Sequence, residues 1–473
     1  MKPRTLLVLL VLVLGLGSYI WFYDRDQPSS EERAELEKKA IPLKKEDVTA
    51  VFLQSDAGTV RLEKVSSPAP KKEKKEGDEL ALEEPAEWRI VEPLKARADT
   101  SLVDGLLGAL AALDTVRKLD EVNVKEVGLD KPRATVRVKT AEGEKVLKVG
   151  AEIPTSGTTI AALDGEKGAL VVSDSFLAEI RRNPGDWRDR QMYRGDRDHV
   201  QRITLVSGGQ QVVLARQGDS FRIESPIRDR ADRDRIDDLF AELSGLTAER
   251  FLDGGETVQP ATSAATVEVV SDQAPPFRIE LGEEVSTPAP TPESAEDENP
   301  AAQAKTFQAS SGGQRFEVRT RLAEAAARPA TDWRAASLSS LESFDVESAT
   351  VQDGQGALAL TRAEPDWKRG NETISYLPVS DLLFSLVGAK ADRLLTPDEA
   401  VAVGITPNGK PMLTVTLGSK KGQETLKLFA PVAAGTPATA SDRNLILLLP
   451  PGTLGEIQGK LAEVRKAKPV PAK

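Results

Sequence analysis

Few side chains in this sequence are suited to chemistry, and most of them lie in two charged runs. The single histidine, His199, ends the first run at 183–199, just after an Arg-Gly-Asp tripeptide at 194–196. A lone histidine amid charges is typical of a surface residue, because catalysis needs partners that the surrounding sequence does not identify. A three-residue adhesion motif arises easily in a chain rich in these residue types, so we assign no role to either feature.

The second charged run, IRDRADRDRIDD at 227–238, contains the adjacent carboxylates Asp237 and Asp238. Paired carboxylates can bind a cation or act as acid and base. Alternating charges also form ion pairs three and four residues apart on a solvated helix face, each worth about 0.3–0.5 kcal/mol. We favour the solvated face, and we predict no catalytic, cofactor-binding or metal-binding residue.

The composition excludes several classes of function. The chain of 473 residues has no cysteine, which excludes disulfides, thiol catalysis, cysteine-ligated zinc and a lipid-modified cysteine. One histidine cannot form a two-histidine metal site within one chain. The net charge of −11 argues against general binding to a nucleic-acid backbone. The serine run at 337–343 has no credible base near it, so we expect no enzyme and no cofactor.

The elements around these residues repeat one phrase, EWRIVEPLKARAD at 87–99 and SFRIESPIRDRAD at 220–232. In each copy an aromatic residue and an isoleucine share one face of a short strand, a proline ends the strand, and an aspartate is placed to cap a helix. An apolar stripe at helical spacing follows each aspartate, with a constant offset of 133 residues between the copies. The motif residues are Trp88, Ile90, Pro93 and Asp99 in the first copy and Phe221, Ile223, Pro226 and Asp232 in the second.

A third copy begins at Trp367, and its helical stripe, Val379 to Leu386, follows that of the first copy by 276 residues. Each copy is predicted to contain a β-hairpin, a strand, a helix, a second hairpin, a strand and a helix over about 130–145 residues. Hairpins around single helices predict an α+β fold, with three tandem units and mainly antiparallel sheets.

The predicted order of segments follows from these copies. A transmembrane anchor at 1–23 and a polar stalk at 24–45 precede unit 1 at 46–192, unit 2 at 193–338, unit 3 at 339–466 and a disordered tail at 467–473. Two segments rich in proline and charge, 66–87 and 284–305, bury too little apolar surface to order themselves. We predict that both are flexible insertions.

A tryptophan followed by arginine occurs near the end of two units, as Trp187-Arg188 and Trp333-Arg334. Such a pair can stack on a ligand. It can also clamp neighbouring units, with the indole buried and the arginine bonded to a carbonyl or carboxylate. The third unit lacks the pair and no unit follows it, which favours the clamp.

The N-terminus predicts a membrane span. Lys2 and Arg4 precede nineteen uncharged residues, Thr5–Tyr23, which as a helix rise about 28 Å, close to the thickness of a hydrocarbon core. Aromatic residues cluster at the far end of this run, and the basic residues before it place residues 24–473 outside the cytoplasm. The alternative is a cleaved signal peptide; the long apolar run and the lack of an A-x-A site favour an uncleaved anchor.

Together these features resemble the domain-of-unknown-function 4340 family. The resemblance rests on the N-terminal span, the W-x-I-x-x-P strand at 88–93, the Ala98-Asp99 cap with its Leu-rich helix, the VGLDKP turn at 127–132 and WRDR at 187–190. It extends over nearly all of the exported part. It implies a bacterial envelope protein, single-pass in the inner membrane with a periplasmic bulk, and an accessory role beside ABC-transporter permeases. It supplies no catalytic residues.

We therefore expect a non-enzymatic scaffold or accessory protein, held in the inner membrane through residues 5–23 and associated with an ABC-type transport complex or other envelope proteins. The alternative is a substrate- or glycan-binding envelope protein that uses a cleft between units. In that case Trp88, Phe221 or Trp367 would line a pocket between units, and burial of these side chains in separate cores would count against it.

Overall fold

The computed structural model describes residues 38–65, 87–153, 156–252, 264–285, 304–405, 409–420 and 422–470. The predicted membrane anchor, most of the predicted stalk and almost all of both predicted insertions lie outside these residues. Within the described ranges, no helix is long and apolar enough to span a membrane.

The described residues form three sheets of nine strands, each with its own helices. The first repeat contains β1 (Val48–Ser55), β2 (Gly58–Val65), β3 (Glu87–Glu92), β4 (Ala96–Arg97), α1 (Thr100–Ala111), β5 (Thr115–Leu119), β6 (Ala134–Thr140), β7 (Gly143–Ile153), β8 (Thr158–Leu163), β9 (Ala169–Ser173) and α2 (Leu177–Ile180). The second contains β10 (Val200–Ser207), β11 (Gln210–Gln217), β12 (Ser220–Ser225), β13 (Asp229–Arg230), α3 (Arg233–Ser244), β14 (Ala248–Phe251), β15 (Ala265–Ser271), β16 (Phe277–Glu284), β17 (Lys305–Ser311), β18 (Gln314–Thr320) and α4 (Leu322–Ala327). The third contains β19 (Ser348–Asp353), β20 (Gly356–Ala363), β21 (Asp366–Arg369), β22 (Glu372–Ile374), α5 (Tyr376–Val387), β23 (Arg393–Leu395), α6 (Pro397–Ala402), β24 (Leu413–Ser419), β25 (Gly422–Leu428), β26 (Thr436–Ala440), β27 (Ile446–Leu449) and α7 (Thr453–Lys466).

All three sheets have the same strand order. In the first sheet it is β4-β3-β2-β1-β6-β7-β8-β9-β5, and the corresponding strands of the other two sheets follow it. The paired strands are antiparallel, as hairpin connections require. The predicted α+β class with mainly antiparallel sheets in three units is confirmed. The sequence patterns did not predict β5, which pairs with β9 at the far edge.

Each sheet buries one face against its helices, and each repeat has an apolar core of its own. The buried residues of α1 are Val103, Leu106, Leu107 and Leu110. Their equivalents on α3 and α5 are buried as well, so the predicted helical stripes face the cores. Removing one such aliphatic side chain from water contributes about 1.5–3 kcal/mol.

The first helix of each repeat begins next to an aspartate. The carboxylate of Asp99 accepts hydrogen bonds from the backbone N–H groups of Ser101 and Leu102, and Asp232 accepts one from Arg235. These bonds satisfy donors that a helix start leaves without partners. In the third repeat the preceding Ser375 makes no such bond. Instead Asp366, on β21, accepts from the N–H of Tyr376 at 3.2 Å.

A glycine turn recurs in the first and third repeats. Gly128 and Gly404, 276 residues apart, have φ angles of +72° and +76°. Most L-residues avoid this left-handed region, and a Cβ on Gly128 would also lie 3.3 Å from the backbone nitrogen of Ala151. The similarity between the VGLDKP and VGITP sequences thus reflects a shared backbone conformation.

The chain enters each repeat beside one edge of its sheet and leaves beside the other. In the first repeat Lys39 bridges to Asp114, next to β5, and Arg188 bridges to Ala98, next to β4. The equivalent bridges are Gln191–Thr247 and Ala231–Arg334 in the second repeat and Ser337–Lys390 and Ile374–Pro469 in the third. The chain itself therefore covers part of both edges in every repeat.

These bridges extend the repeats beyond the predicted boundaries. Ala40, Ile41 and Leu43 are buried in the first core, although the predicted stalk at 24–45 includes them. Residues 467–470 of the predicted disordered tail at 467–473 are described, and the N–H of Val470 donates to Thr373 O at 2.8 Å. Short apolar stretches amid charges have no periodicity to detect, and their order comes from pairing with distant residues.

The margins of the predicted insertions also belong to strands. Glu87 begins β3, Glu284 ends β16 and Lys305 begins β17. The chain divides into two compact units after Arg190. The first unit holds the first sheet, and the second unit holds the second and third sheets together.

Candidate functional site

The three aromatic residues that open the repeated phrase are buried in three different cores. Trp88 lies in the first core, Phe221 in the second and Trp367 in the third. Ile90 and Ile223 are buried beside the first two. Pro93 and Pro226 directly follow the last residues of β3 and β12. A ligand in solvent cannot reach the aromatic and isoleucine side chains, whereas the two prolines are exposed.

Trp187 and Trp333 are fully buried in the cores of their own repeats. The backbone carbonyl of Trp187 accepts a hydrogen bond from the N–H of Asp99 at 2.9 Å, and Trp333 bonds in the same way to Asp232 at 2.7 Å. The backbone of each tryptophan thus joins the end of its repeat to the helix start, while the indole fills the core. Part of the predicted clamp between units is therefore internal to one repeat.

An arginine covers each of these indoles. The guanidinium of Arg182 lies 6.0 Å from the ring centre of Trp187, and that of Arg328 lies 5.2 Å from Trp333. Burial lowers the pKa of Arg328, and the nearby charge of Arg235 lowers it further. The sequence run before each Trp-Arg pair therefore supplies a second packing element that the pattern did not predict.

Six charged side chains form a cluster between the second and third repeats, which we name the charge junction. Its members are Asp229, Arg230, Arg334, Glu424, Asp442 and Arg443. Both residues of β13, at the edge of the second sheet, belong to it, and Glu424 reaches it from β25 of the third sheet. Asp442 and Arg443 lie in the turn between β26 and β27. Three acids balance three bases, so the cluster has no net charge.

Asp229 is the centre of one half of the charge junction. Arg443 Nη2 donates to Asp229 Oδ2 at 2.8 Å, and the side chains are 1% and 2% exposed. Arg334 Nε lies 3.3 Å from the same oxygen. Oδ1 accepts from the backbone N–H of Arg230 at 2.8 Å. Arg443 Nη1 also donates to the carbonyl of Ala335, on the connection between the two repeats, at 2.8 Å.

Arg230 is the centre of the other half. Its Nε and Nη2 atoms donate to the two carboxylate oxygens of Asp442 at 2.7 and 2.5 Å. Nη2 also donates to Glu424 Oε1 at 2.8 Å. This two-pronged contact matches the planar geometry of a guanidinium to that of a carboxylate, which a lysine could not do.

The serine run at 337–343 contributes to the same cluster. Ser339 Oγ donates to Glu424 Oε2 at 2.6 Å, and the N–H of Ser340 donates to the same carboxylate at 3.1 Å. No base was predicted near this run, and the structure places the carboxylate of Glu424 beside it. Because Ser339 is buried and Glu424 is already bonded to Arg230, the contact is suited to holding the chain in place rather than to nucleophilic attack.

Burial and neighbouring charges have opposite effects on the pKa values of Asp442 and Arg443. Burial alone would raise the pKa of Asp442, but hydrogen bonds from Arg230 and the charges of Arg230 and Arg222 outweigh it, and the pKa lies below its ordinary value. For Arg443, burial lowers the pKa despite the adjacent Asp229.

The charged runs around His199 are used in local structure. His199 Nδ1 lies 3.1 Å from Asp272 Oδ1, a partner distant in sequence, and Asp272 Oδ2 accepts from Gln201. Asp196, from the Arg-Gly-Asp tripeptide, accepts from the N–H of Asp198 at 3.0 Å. Asp237 forms an ion pair with Arg197 across exposed surface. Among the described residues there is no group of three or more potential ligands that could hold a metal ion.

One surface of the third repeat differs from its equivalents. Leu377 and Phe384 lie seven residues apart on α5 and are 64% and 71% exposed. Phe344, in the short turn that packs against α5, is exposed as well. At the positions equivalent to Leu377 and Phe384 the first repeat carries Ser101 and Gly108 and the second carries Asp234 and Ala241. The fold therefore does not require apolar residues here.

The sequence patterns did not identify Glu424, Asp442 or Arg443, because single charges in hairpins resemble ordinary surface residues. A comparison of the first and second repeats indicates these residues indirectly. At an offset of 133, Asp229 replaces Ala96 while Arg230 matches Arg97. A buried acid introduced beside a retained arginine indicates a new partner.

The comparison with known families matches a segment that contains both copies of the repeated sequence motif almost in full. Residues 88–266 match the family described as "Domain of unknown function (DUF4340)". The chain is thus similar to that family over this segment. The predicted resemblance is thus confirmed from Trp88 of the first repeat to Thr266 in β15 of the second, which is less than the predicted extent. No curated protein and no solved structure matches the chain.

Proposed function

We propose that this protein is a non-enzymatic scaffold or accessory protein of the bacterial cell envelope, anchored in the inner membrane and associated with an ABC-type transport complex. The observation that carries the proposal is the charge junction. Its buried charges bond to one another and to backbone carbonyls across two repeats, which suits a structural contact between repeats rather than a reaction. The apolar N-terminal segment supports the anchoring.

The burial of the aromatic residues bears on the alternative, a glycan- or substrate-binding protein. Glycan sites present aromatic faces to the ligand in a cleft. Trp88, Phe221 and Trp367 fill separate cores instead, which favours the scaffold over the cleft. The DUF4340 match names no activity and is compatible with either role.

The anchoring can be tested by a C-terminal alkaline phosphatase fusion. We expect an active fusion, because the positive charges precede the apolar run. A matched variant exchanges the flanking charges: Lys2→Glu and Arg4→Glu with Asp24→Lys and Asp26→Lys. This variant should reverse the orientation and lose phosphatase activity. An inactive fusion of the unaltered chain would overturn the exported orientation.

The association can be tested by detergent extraction and affinity purification of the full chain, with an unrelated single-span protein carrying the same tag as control. We expect a transporter permease and its ATPase to co-purify with this chain and not with the control. Recovery of the chain alone from its native membrane would contradict the proposed complex and leave the anchoring intact.

A further inference from the structure

Buried polar contacts cross between the second and third repeats. Their buried apolar clusters are separate. The described side-chain contacts between them are concentrated at the charge junction, with Arg233–Glu342 and Lys390–Asp234 as exposed ion pairs outside it. Apolar surfaces can slide past one another at little cost, whereas hydrogen bonds between ionised groups depend on distance and angle.

Each half of the charge junction crosses from one repeat to the other. Asp229 of the second repeat binds Arg443 of the third, and Arg230 binds Asp442 and Glu424. The connection between the repeats is held by the same groups, through the carbonyls of Ala335 and Leu338. A rotation of the third repeat would separate several buried charges from their partners at once.

The energetics of buried ions determine what such a cluster can do. Removing charges from water costs roughly as much as their mutual attraction returns, so a complete buried network adds little net stability. Breaking it is expensive, because a buried charge without a partner remains. A network with these properties selects one arrangement against others without strengthening it greatly.

We infer that the charge junction is an orientation lock that holds the third repeat in one orientation on the second. It acts by making every other orientation leave buried charges unpaired. This inference shares the charge junction with the proposed function, but it does not depend on the membrane location or on a transporter partner, so its failure would leave the proposed anchoring and association standing.

The lock can be tested by distance measurement between spin labels, because the chain has no native cysteine. The labels would be attached to Gln210→Cys in the second repeat and Lys368→Cys in the third, both exposed positions. The purified full chain in detergent should give one narrow distance distribution.

The decisive variant combines Asp229→Ala, Arg230→Met, Arg334→Met, Glu424→Gln, Asp442→Asn and Arg443→Met, which removes all six charges of the charge junction together. We expect the circular dichroism spectrum and unfolding midpoint to stay close to those of the unaltered chain while the distance distribution broadens or splits. The matched control, Arg233→Ala with Glu342→Ala, removes an exposed ion pair between the same repeats and should keep the narrow distribution.

Two results would overturn the inference. A narrow, unshifted distribution in the six-fold variant would mean that contacts outside the charge junction set the orientation. A six-fold variant that unfolds as readily as the single variant Asp229→Ala, which leaves Arg443 buried without a carboxylate, would mean that the cluster supplies stability rather than orientation.

Discussion

The same two-residue strand is used differently in the first and second repeats. In the first, β4 is Ala96-Arg97, and Arg97 pairs with Glu87 of its own repeat at 2.7 Å on open surface. In the second, β13 is Asp229-Arg230, and Arg230 is buried and bonded to two carboxylates of the third repeat. Strand order, helix cap and proline are shared. An additional acid, Asp229, and new partners for the arginine make this edge strand part of the contact between the second and third repeats.

The comparison shows that an inherited framework can acquire an interface by few substitutions. The arginine is present in both copies, so its charge is not what makes this contact. The differences are Asp229 in place of Ala96 and the carboxylates that the third repeat brings. Removal of a solvated guanidinium costs little stability. Removal of a guanidinium whose partners are buried around it costs several kcal/mol, because those partners then lack a cation.

The largest expected effect comes from removing the buried arginine. Arg230→Ala leaves Glu424 buried without its cation, and we expect the unfolding free energy of the second and third repeats to fall by about 3–5 kcal/mol. Urea unfolding followed by circular dichroism measures this loss. A companion variant, Arg230→Ala with Glu424→Gln, should recover part of it; no recovery would show that the loss does not come from the unpaired charge.

The helix caps distinguish the third repeat from the other two. Asp99→Ala and Asp232→Ala should each lower stability by about 1 kcal/mol, because each removes hydrogen bonds at a helix start. Ser375→Ala should have no measurable effect, since Ser375 does not cap α5. Asp366→Ala should instead destabilise the third repeat, because Asp366 accepts the hydrogen bond at the start of α5. Shifts in urea midpoints check all four, and equal losses for Ser375→Ala and Asp232→Ala would contradict the assignment.

Acid should weaken the charge junction through Asp442. Because the pKa of Asp442 is lowered in the folded protein, its contribution to stability is present at neutral pH. That contribution is lost as the pH falls from about 4, the ordinary value of an aspartate, through the folded pKa. Melting temperatures between pH 7 and pH 3 should fall less steeply for Asp442→Asn than for the unaltered chain. Parallel curves would argue against this role.

The smallest loss of stability is expected for substitution of Arg97, which is the counterpart of Arg230 in the first repeat. Arg97→Ala breaks an ion pair whose side chains are 42% and 32% exposed, and we expect a loss of about 0–1 kcal/mol. Thermal unfolding measured at low and high salt provides the check, because an exposed pair is screened by salt. A loss as large as that of Arg230→Ala would remove the distinction between the two repeats.

Much of the fold within each repeat was predictable from the sequence. The helical stripes, the aspartate caps and the hairpins repeat at fixed offsets, and local periodicity carries that information. The edge strands β5, β14 and β23 were not predictable, because each is short and pairs with the last strand of its sheet. Their order depends on contacts that sequence neighbours do not report.

The charge junction shows a different limit. The run at 227–238 was interpreted as a solvated face, and its helical part agrees, since Arg233 and Asp234 are exposed. Asp229 and Arg230 are buried because the third repeat covers them, and nothing within the second repeat predicts that covering. The comparison of Ala96 with Asp229 is the one place where the sequence indicated it.

The bridge between Ile374 and Pro469 occupies, in the third repeat, the place that Arg188 and Arg334 occupy in the first two. There the chain continues into another repeat; here the last described residues fold back along β22. A strand edge left open at the end of an array is a template on which further copies can polymerise, and a proline without an N–H donor is a poor template. The described C-terminal residues thus cover the β22 edge of the third sheet and leave less of it open to pairing with another strand.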